Sequence, residues 1–388
     1  MGLEQDLFFW NTVGQLIDQK FRVITMSDDQ QEIWLESAGR ASFPLVRLVR
    51  TDADWGNRLG QDIERTAAVF EEIRRNNERK SLSVLNLYFS TEAPVDEWEH
   101  IFSEPYSFGK TVLKNELIHG GNRSEKLQAA EDMLSVRLDR AAPPIRDYHE
   151  LQAYQAEIME KEKTKMNEEK KLFEYGKPKL TKIFLTVQIV VFLMMELAGG
   201  SQNNVTLLNF GAKYNPSIIE GEWWRLITPM FLHIGFLHLA MNSVALYFIG
   251  EAVEKMFGSF RFLLIYFFAG AMGTLASFAF SPAISAGASG AIFGCFGALL
   301  YLGAVQRELF LRTIGPNILV VIGINLALGF AIPNIDNAGH IGGLIGGAAA
   351  AFAVQLPSRP KSGWQAAAAA GGIGLAVLLA AIGFTRWQ

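Results

Sequence analysis

Gly287-Ala288-Ser289-Gly290-Ala291-Ile292-Phe293-Gly294-Cys295-Phe296-Gly297-Ala298-Leu299-Leu300-Tyr301-Leu302-Gly303-Ala304-Val305 carries no charge and breaks only at glycine. A helix needs about 20 apolar residues to cross ~30 Å of hydrocarbon, so this stretch reads as a membrane span with a serine at its mouth. Working outward, residues 180–197, 226–250, 260–280, 314–332, 339–356 and 364–384 have the same character. Together they predict seven spans, of which the fifth is short and the seventh alanine-rich.

The charges divide the chain in two. Half of the 388 residues are hydrophobic and the net charge is −4, yet roughly three quarters of the charged side chains precede Leu180. The pattern predicts a polytopic α-helical membrane protein behind a soluble α/β domain. Residues 1–145 alternate β-rich runs (21–25, 32–35, 45–49, 82–89) with a helical stretch at 55–79. Ala141-Ala142-Pro143-Pro144 marks a boundary, and 146–179, rich in Glu and Lys, reads as a charged, solvated helical linker whose lysines are able to touch anionic lipid. Glu4 and Asp6 argue against a signal peptide, and Asp6 stands where a myristoylation site after Met1-Gly2 wants Ser or Thr. The lone Cys295 excludes a disulfide framework or a cysteine metal cluster, and no basic stripe suggests nucleic acid. No metal or organic cofactor is called for.

Positive residues are retained on the cytoplasmic side of a membrane. Lys177, Lys179 and Lys182, Lys255 and Arg261, Arg307 and Arg312, and Arg359 and Lys361 all fall on one face under a seven-span alternation. The other face holds Lys213, Arg225 and Arg386. This predicts a cytoplasmic amino-terminal domain and an outer carboxyl terminus. It also brings Ser289 and His340, some fifty residues apart, to similar shallow depths beneath the outer surface.

Polar groups in hydrocarbon cost several kcal/mol unless satisfied, and intramembrane ionisable residues point to function. His238 and Asn242 are one turn apart on a helical face, while His233, nearer the surface, reads as structural. Ser289 occupies a first helical turn, where free backbone N–H groups favour developing negative charge, and Gly287 and Gly290 leave room for a substrate backbone. Gly290, Gly294 and Gly297 in one span and Gly339, Gly343 and Gly347 in another allow two helices to pack closely. Each feature has an ordinary reading: a membrane serine bonds a carbonyl one turn back, and glycine stripes serve packing. Their conjunction on one side of the membrane favours a serine nucleophile and a histidine base.

Trp224-Arg225, the His233/His238/Asn242 set, Gly287-Ala288-Ser289-Gly290, and Gly339-His340 with Gly343 and Gly347 together resemble the rhomboid intramembrane serine proteases. The layout is similar to the GluP-like type of Gram-positive bacteria, with a soluble amino-terminal domain and a seventh span after a six-helix core. The resemblance implies a Ser289/His340 dyad, an oxyanion hole of His238, Asn242 and the Ser289 N–H, and supporting roles for His233, Gly343 and Gly347. It places Trp224-Arg225 at the bilayer edge of a bacterial plasma membrane. It implies transmembrane protein substrates entering near the second and fifth spans, in contact with membrane lipids. A protein or ion partner of the amino-terminal domain is left open, with a regulatory or scaffolding role expected. Two other readings stand beside this one: a non-proteolytic rhomboid-like protein that binds or escorts membrane segments, and a transporter, which lacks the expected inverted pair of broken helices. Asp336, four residues before His340, is expected to serve its loop's turn rather than the base.

Overall fold

Leu82, Val84 and Tyr88 point to one side of their strand and Leu85, Leu87 and Phe89 to the other, all of them buried. A strand apolar on both faces belongs at the centre of a covered sheet. The computed structural model describes residues 2–37, 42–52, 54–138, 140–332, 335–360 and 362–388, and the chain divides into two units, Met1–Asn167 and Glu168–Gln388. Met1, the first residue of the myristoylation test, and Lys361, one of the inner-face charges, lie outside the described residues.

The first unit runs α1 (Leu3–Asp18), β1 (Phe21–Met26), β2 (Glu32–Ser37), β3 (Leu45–Arg50), α2 (Gly56–Asn76), β4 (Leu82–Phe89), α3 (Glu99–Ser103), β5 (Tyr106–Phe108), β6 (Thr111–Ile118) and α4 (Arg123–Leu134). Among the described residues its strands are ordered β1-β2-β3-β4-β6-β5. The first three form an antiparallel meander, β3, β4 and β6 are parallel, and β5 closes the edge as a hairpin with β6. Helix α2 provides the crossover that a parallel β3–β4 pair requires. It covers one face, and α1 and α4 cover the other. At the centre of the α2 face Arg47, almost wholly buried, is held by Glu32 at 2.6 Å and Asp62 at 2.7 Å, with Asn86 and Tyr88 completing the network. A buried guanidinium is tolerable only when paired in this way.

Helix α5 (Tyr148–Phe173) departs from the solvated linker expected of it. Leu151 and Ile158 are buried in the core of the first unit, and Leu172 joins the core of the second. Apolar side chains spaced along one face of an otherwise charged helix are enough to seat it. The division between the units falls inside this helix.

The second unit contains α6 (Leu180–Leu197), α7 (Asn204–Asn209), α8 (Asn215–Ile219), α9 (Phe236–Ala245), α10 (Glu251–Phe257), α11 (Ser259–Phe280), α12 (Ser289–Val305), α13 (Arg307–Arg312), α14 (Gly315–Ala331), α15 (Asn337–Val354) and α16 (Trp364–Trp387). A π-helical turn, Leu246–Gly250, joins α9 to α10 as one apolar helix over Phe236–Phe257. Among the described residues five helices, α6, Phe236–Phe257, α11, α15 and α16, are long and apolar enough to cross a membrane; α12 and α14 are shorter apolar helices. The second span thus starts ten residues later than position 226, the start read from hydropathy. Pro229 and Gly235, the latter at φ +79, hold residues 223–231 in two 3-10 turns and keep His233 outside the helix.

Helix α12 is enclosed by α11 and α15, and most of its residues are buried. Glycine permits this approach. A β-carbon at Gly343 would overlap the Gly290 carbonyl oxygen, one at Gly347 would overlap that of Gly294, and one at Gly273 would lie 2.7 Å from the Gly339 oxygen. Further along, the Glu254 carboxylate accepts from the N–H groups of Lys179, Leu180 and Thr181 and from the hydroxyls of Thr181 and Ser259, at 2.6–2.9 Å. It caps the start of α6 from a neighbouring helix, satisfying donors that have no partner within α6.

Candidate active site

Helix α12 has 17 residues and is about 25 Å long, less than the ~30 Å of a bilayer core. Ser289 is its first residue, preceded by a loop in which Gly287 has φ +141. His340 lies in the first turn of α15, and the glycine contacts between the two helices bring these turns side by side. Ser289 Oγ is 2.9 Å from His340 Nε2.

For His340 Nε2 to accept the serine proton, the ring hydrogen must sit on Nδ1. Nδ1 is buried and has no hydrogen-bond partner among the described residues. Asp336 does not supply one. Its carboxylate accepts from the Gly339 N–H at 2.9 Å and from Ser285 Oγ at 2.7 Å, which makes it the amino-terminal cap of α15. The His340 ring is instead stacked on Phe293, centroids 4.3 Å apart and planes within 11°. Sequence reasoning missed Phe293. The available signal was its position one turn after Ser289, on the same helical face.

His238 closes the other side. Its Nδ1 accepts a long bond of 3.4 Å from the Ile234 N–H, which leaves the proton on Nε2. A β-carbon at Gly287 would come within 2.8 Å of that Nε2, so glycine keeps open the space which the N–H addresses. Asn242 is buried and donates one amide hydrogen to the His238 carbonyl at 3.0 Å; the second hydrogen of the amide is available to a ligand. His233 is fully buried behind His238, ring centroids 5.3 Å apart. Gly290, beside the serine, faces Gly273 and the Gly339 carbonyl.

Two predicted residues are elsewhere. Arg225 is turned inward, donating to the carbonyls of Leu208 and Ala212 at 2.8 and 2.9 Å and paired with Glu222, so it staples the 198–235 loop. Trp224 is exposed, as is Trp223. Among the described residues no group of three or more His, Cys, Asp or Glu side chains is gathered to hold a metal ion.

Residues 220–356 match the Rhomboid domain model. The chain is 44% identical to Rhomboid protease GluP of Bacillus subtilis, over 95% of its own length and 73% of that protein. The chain belongs to the rhomboid family. Two plant rhomboids are similar over a shorter stretch: RHOMBOID-like protein 6, mitochondrial, and RHOMBOID-like protein 2 of Arabidopsis thaliana are 38% and 39% identical over 41% and 42% of this chain, and 52% and 51% of their own. This rhomboid is a multi-pass membrane protein and an intramembrane serine protease acting on transmembrane proteins. Nothing in these relationships favours the escort reading.

Proposed function

We propose that Ser289 is the nucleophile of this rhomboid and His340 its base, and that the pair hydrolyses peptide bonds in or near transmembrane segments. The observation that carries this reading is the 2.9 Å approach of Ser289 Oγ to His340 Nε2. His340 takes the hydroxyl proton as Oγ attacks the peptide carbonyl; the C–N bond then breaks as His340 returns the proton to the leaving amine. A water activated by His340 hydrolyses the acyl-enzyme. The oxyanion of each tetrahedral intermediate is held by the Ser289 N–H at the start of α12, the His238 Nε2–H and the free Asn242 hydrogen. With Asp336 committed to its cap, this is a dyad whose histidine is oriented by Phe293 rather than by a carboxylate.

Further parts of the reading rest on charge and hydropathy. The protein lies in a bacterial plasma membrane, with residues 1–145 cytoplasmic and the carboxyl terminus outside, and lysines near the first span meet anionic lipid. The amino-terminal domain regulates or scaffolds the protease through a protein or ion partner. The site's test is cleavage of a model transmembrane substrate in liposomes, with fluorophosphonate labelling, by wild type, Ser289→Ala and His340→Ala. Cutting by Ser289→Ala at the wild-type rate ends the proposal.

A further inference from the structure

Lys213 is fully buried, outside the apolar helices, in the loop between α6 and α9. Its ammonium donates to the carbonyls of Ser281 at 2.6 Å and Ala283 at 2.9 Å. Its backbone forms an isolated two-way bridge with Ser285, N–H to O in both directions at 2.9 and 3.1 Å. A buried ammonium carries a large desolvation cost, and an apolar side chain of similar length would fill the space without it. What the lysine adds is a fixed path for residues 281–285, the segment that leads to Ser289.

The same segment is tied to the histidine helix. Ser285 Oγ donates at 2.7 Å to one oxygen of Asp336, whose other oxygen caps α15 at Gly339, while the Asp336 carbonyl accepts from His340 N–H at 3.0 Å. Ser285 stands four residues before Ser289 and Asp336 four before His340. One hydrogen bond therefore sets the lead-in of the nucleophile against the lead-in of the base, and Lys213 anchors the nucleophile's side of that bond.

We infer that Lys213, Ser285 and Asp336 form a positioning relay that holds Ser289 in line with His340 without touching substrate. The inference rests on the dyad reading above. Misplacing a nucleophile by a fraction of an ångström slows chemistry while leaving substrate docking intact. The signature is thus a loss in kcat at constant KM.

The experiment compares the full chain in detergent as wild type, Ser285→Ala, Ser285→Thr and Lys213→Met. It reads kcat and KM on a transmembrane peptide substrate, the rate of fluorophosphonate labelling, and the unfolding midpoint. Ser285→Ala is expected to lose about 10-fold in kcat and in labelling rate, with KM and midpoint unchanged, and Ser285→Thr to recover most of both. Lys213→Met is expected to lose at least as much. Should Lys213→Met fail to fold, the Ser285 pair decides alone. Wild-type kcat and labelling in Ser285→Ala would overturn the relay, as would a loss that follows the unfolding midpoint or that threonine does not restore. Ser289→Ala run alongside separates the two ideas: activity surviving in that variant sinks the dyad, whatever Ser285 does.

Discussion

Phe293 lies flat against His340, one turn along from Ser289 on the same helix, so the imidazole proposed as the base packs against the helix that carries the proposed nucleophile. With Nδ1 unpartnered among the described residues, stacking on Phe293 and the Nε2 contact with Ser289 limit rotation of the imidazole. Phe293→Leu keeps the volume apolar and removes the flat face. It is expected to lower kcat by about 10-fold with little change in KM, measured on a transmembrane peptide substrate, whereas Phe293→Tyr should stay near wild type. Equal turnover in the leucine variant would show that other contacts hold the ring.

Asn242 is buried with one amide hydrogen committed to the His238 carbonyl. If its free hydrogen meets the oxyanion, Asn242→Ala costs on the order of 10² to 10³ in kcat, the loss seen when one such donor is removed from soluble hydrolases. Initial-rate kinetics at saturating substrate read this directly. A drop below threefold would remove Asn242 from the oxyanion hole.

The membrane class, the strands of the first unit up to Phe89, and the meeting of Ser289 with His340 were legible because each follows from periodicity or topology. Strand β6 was not. Its centre, Lys114-Asn115-Glu116, is polar, and the burial of Asn115 and Glu116 rests on distant partners, Asn86 at 3.0 Å and Lys126 at 2.8 Å. The second span was extended too far because Leu226, Ile227, Met230 and Phe231 are as apolar as a helix, while the break comes from Pro229 and Gly235. From the sequence Lys213 reads as an outer-side charge; its burial depends on carbonyls some seventy residues away, which no local pattern reveals. Phe293 looks like any other aromatic of an apolar span until its partner is placed.

Close packing of α12 on α15 yields a stability prediction. A β-carbon at Gly347 would collide with the Gly294 backbone, whereas one at Gly323 or Gly374 meets open space. Gly347→Ala is expected to destabilise the protein by about 1–3 kcal/mol, the range for overpacking, and to separate Ser289 from His340 enough to depress activity. Gly374→Ala should leave both unchanged. Thermal unfolding in detergent, followed by the cleavage assay at a temperature where both variants are folded, checks the contrast.

Lys213 also makes stability depend on pH in a direction that can be worked out. Burial pushes its ammonium down from 10.5 to about 8, with Asp336 opposing the change. Between about pH 8 and 10.5 the unfolded chain therefore binds more protons at this residue than the folded one, and stability rises with pH across that window. Below it the folded protein bears the full cost of the buried charge. Each tenfold change in proton affinity corresponds to about 1.4 kcal/mol, so the difference across the window amounts to about 3 kcal/mol. Lys213→Met lacks this contribution, while every other titrating group is common to the two proteins. The unfolding midpoint of wild type minus that of Lys213→Met should accordingly move in favour of wild type between about pH 7.5 and 9.5. A difference that stays flat, or moves the other way, would mean that Lys213 keeps its proton as readily in the folded protein as in water, and the buried ammonium would need a stronger partner than two carbonyls.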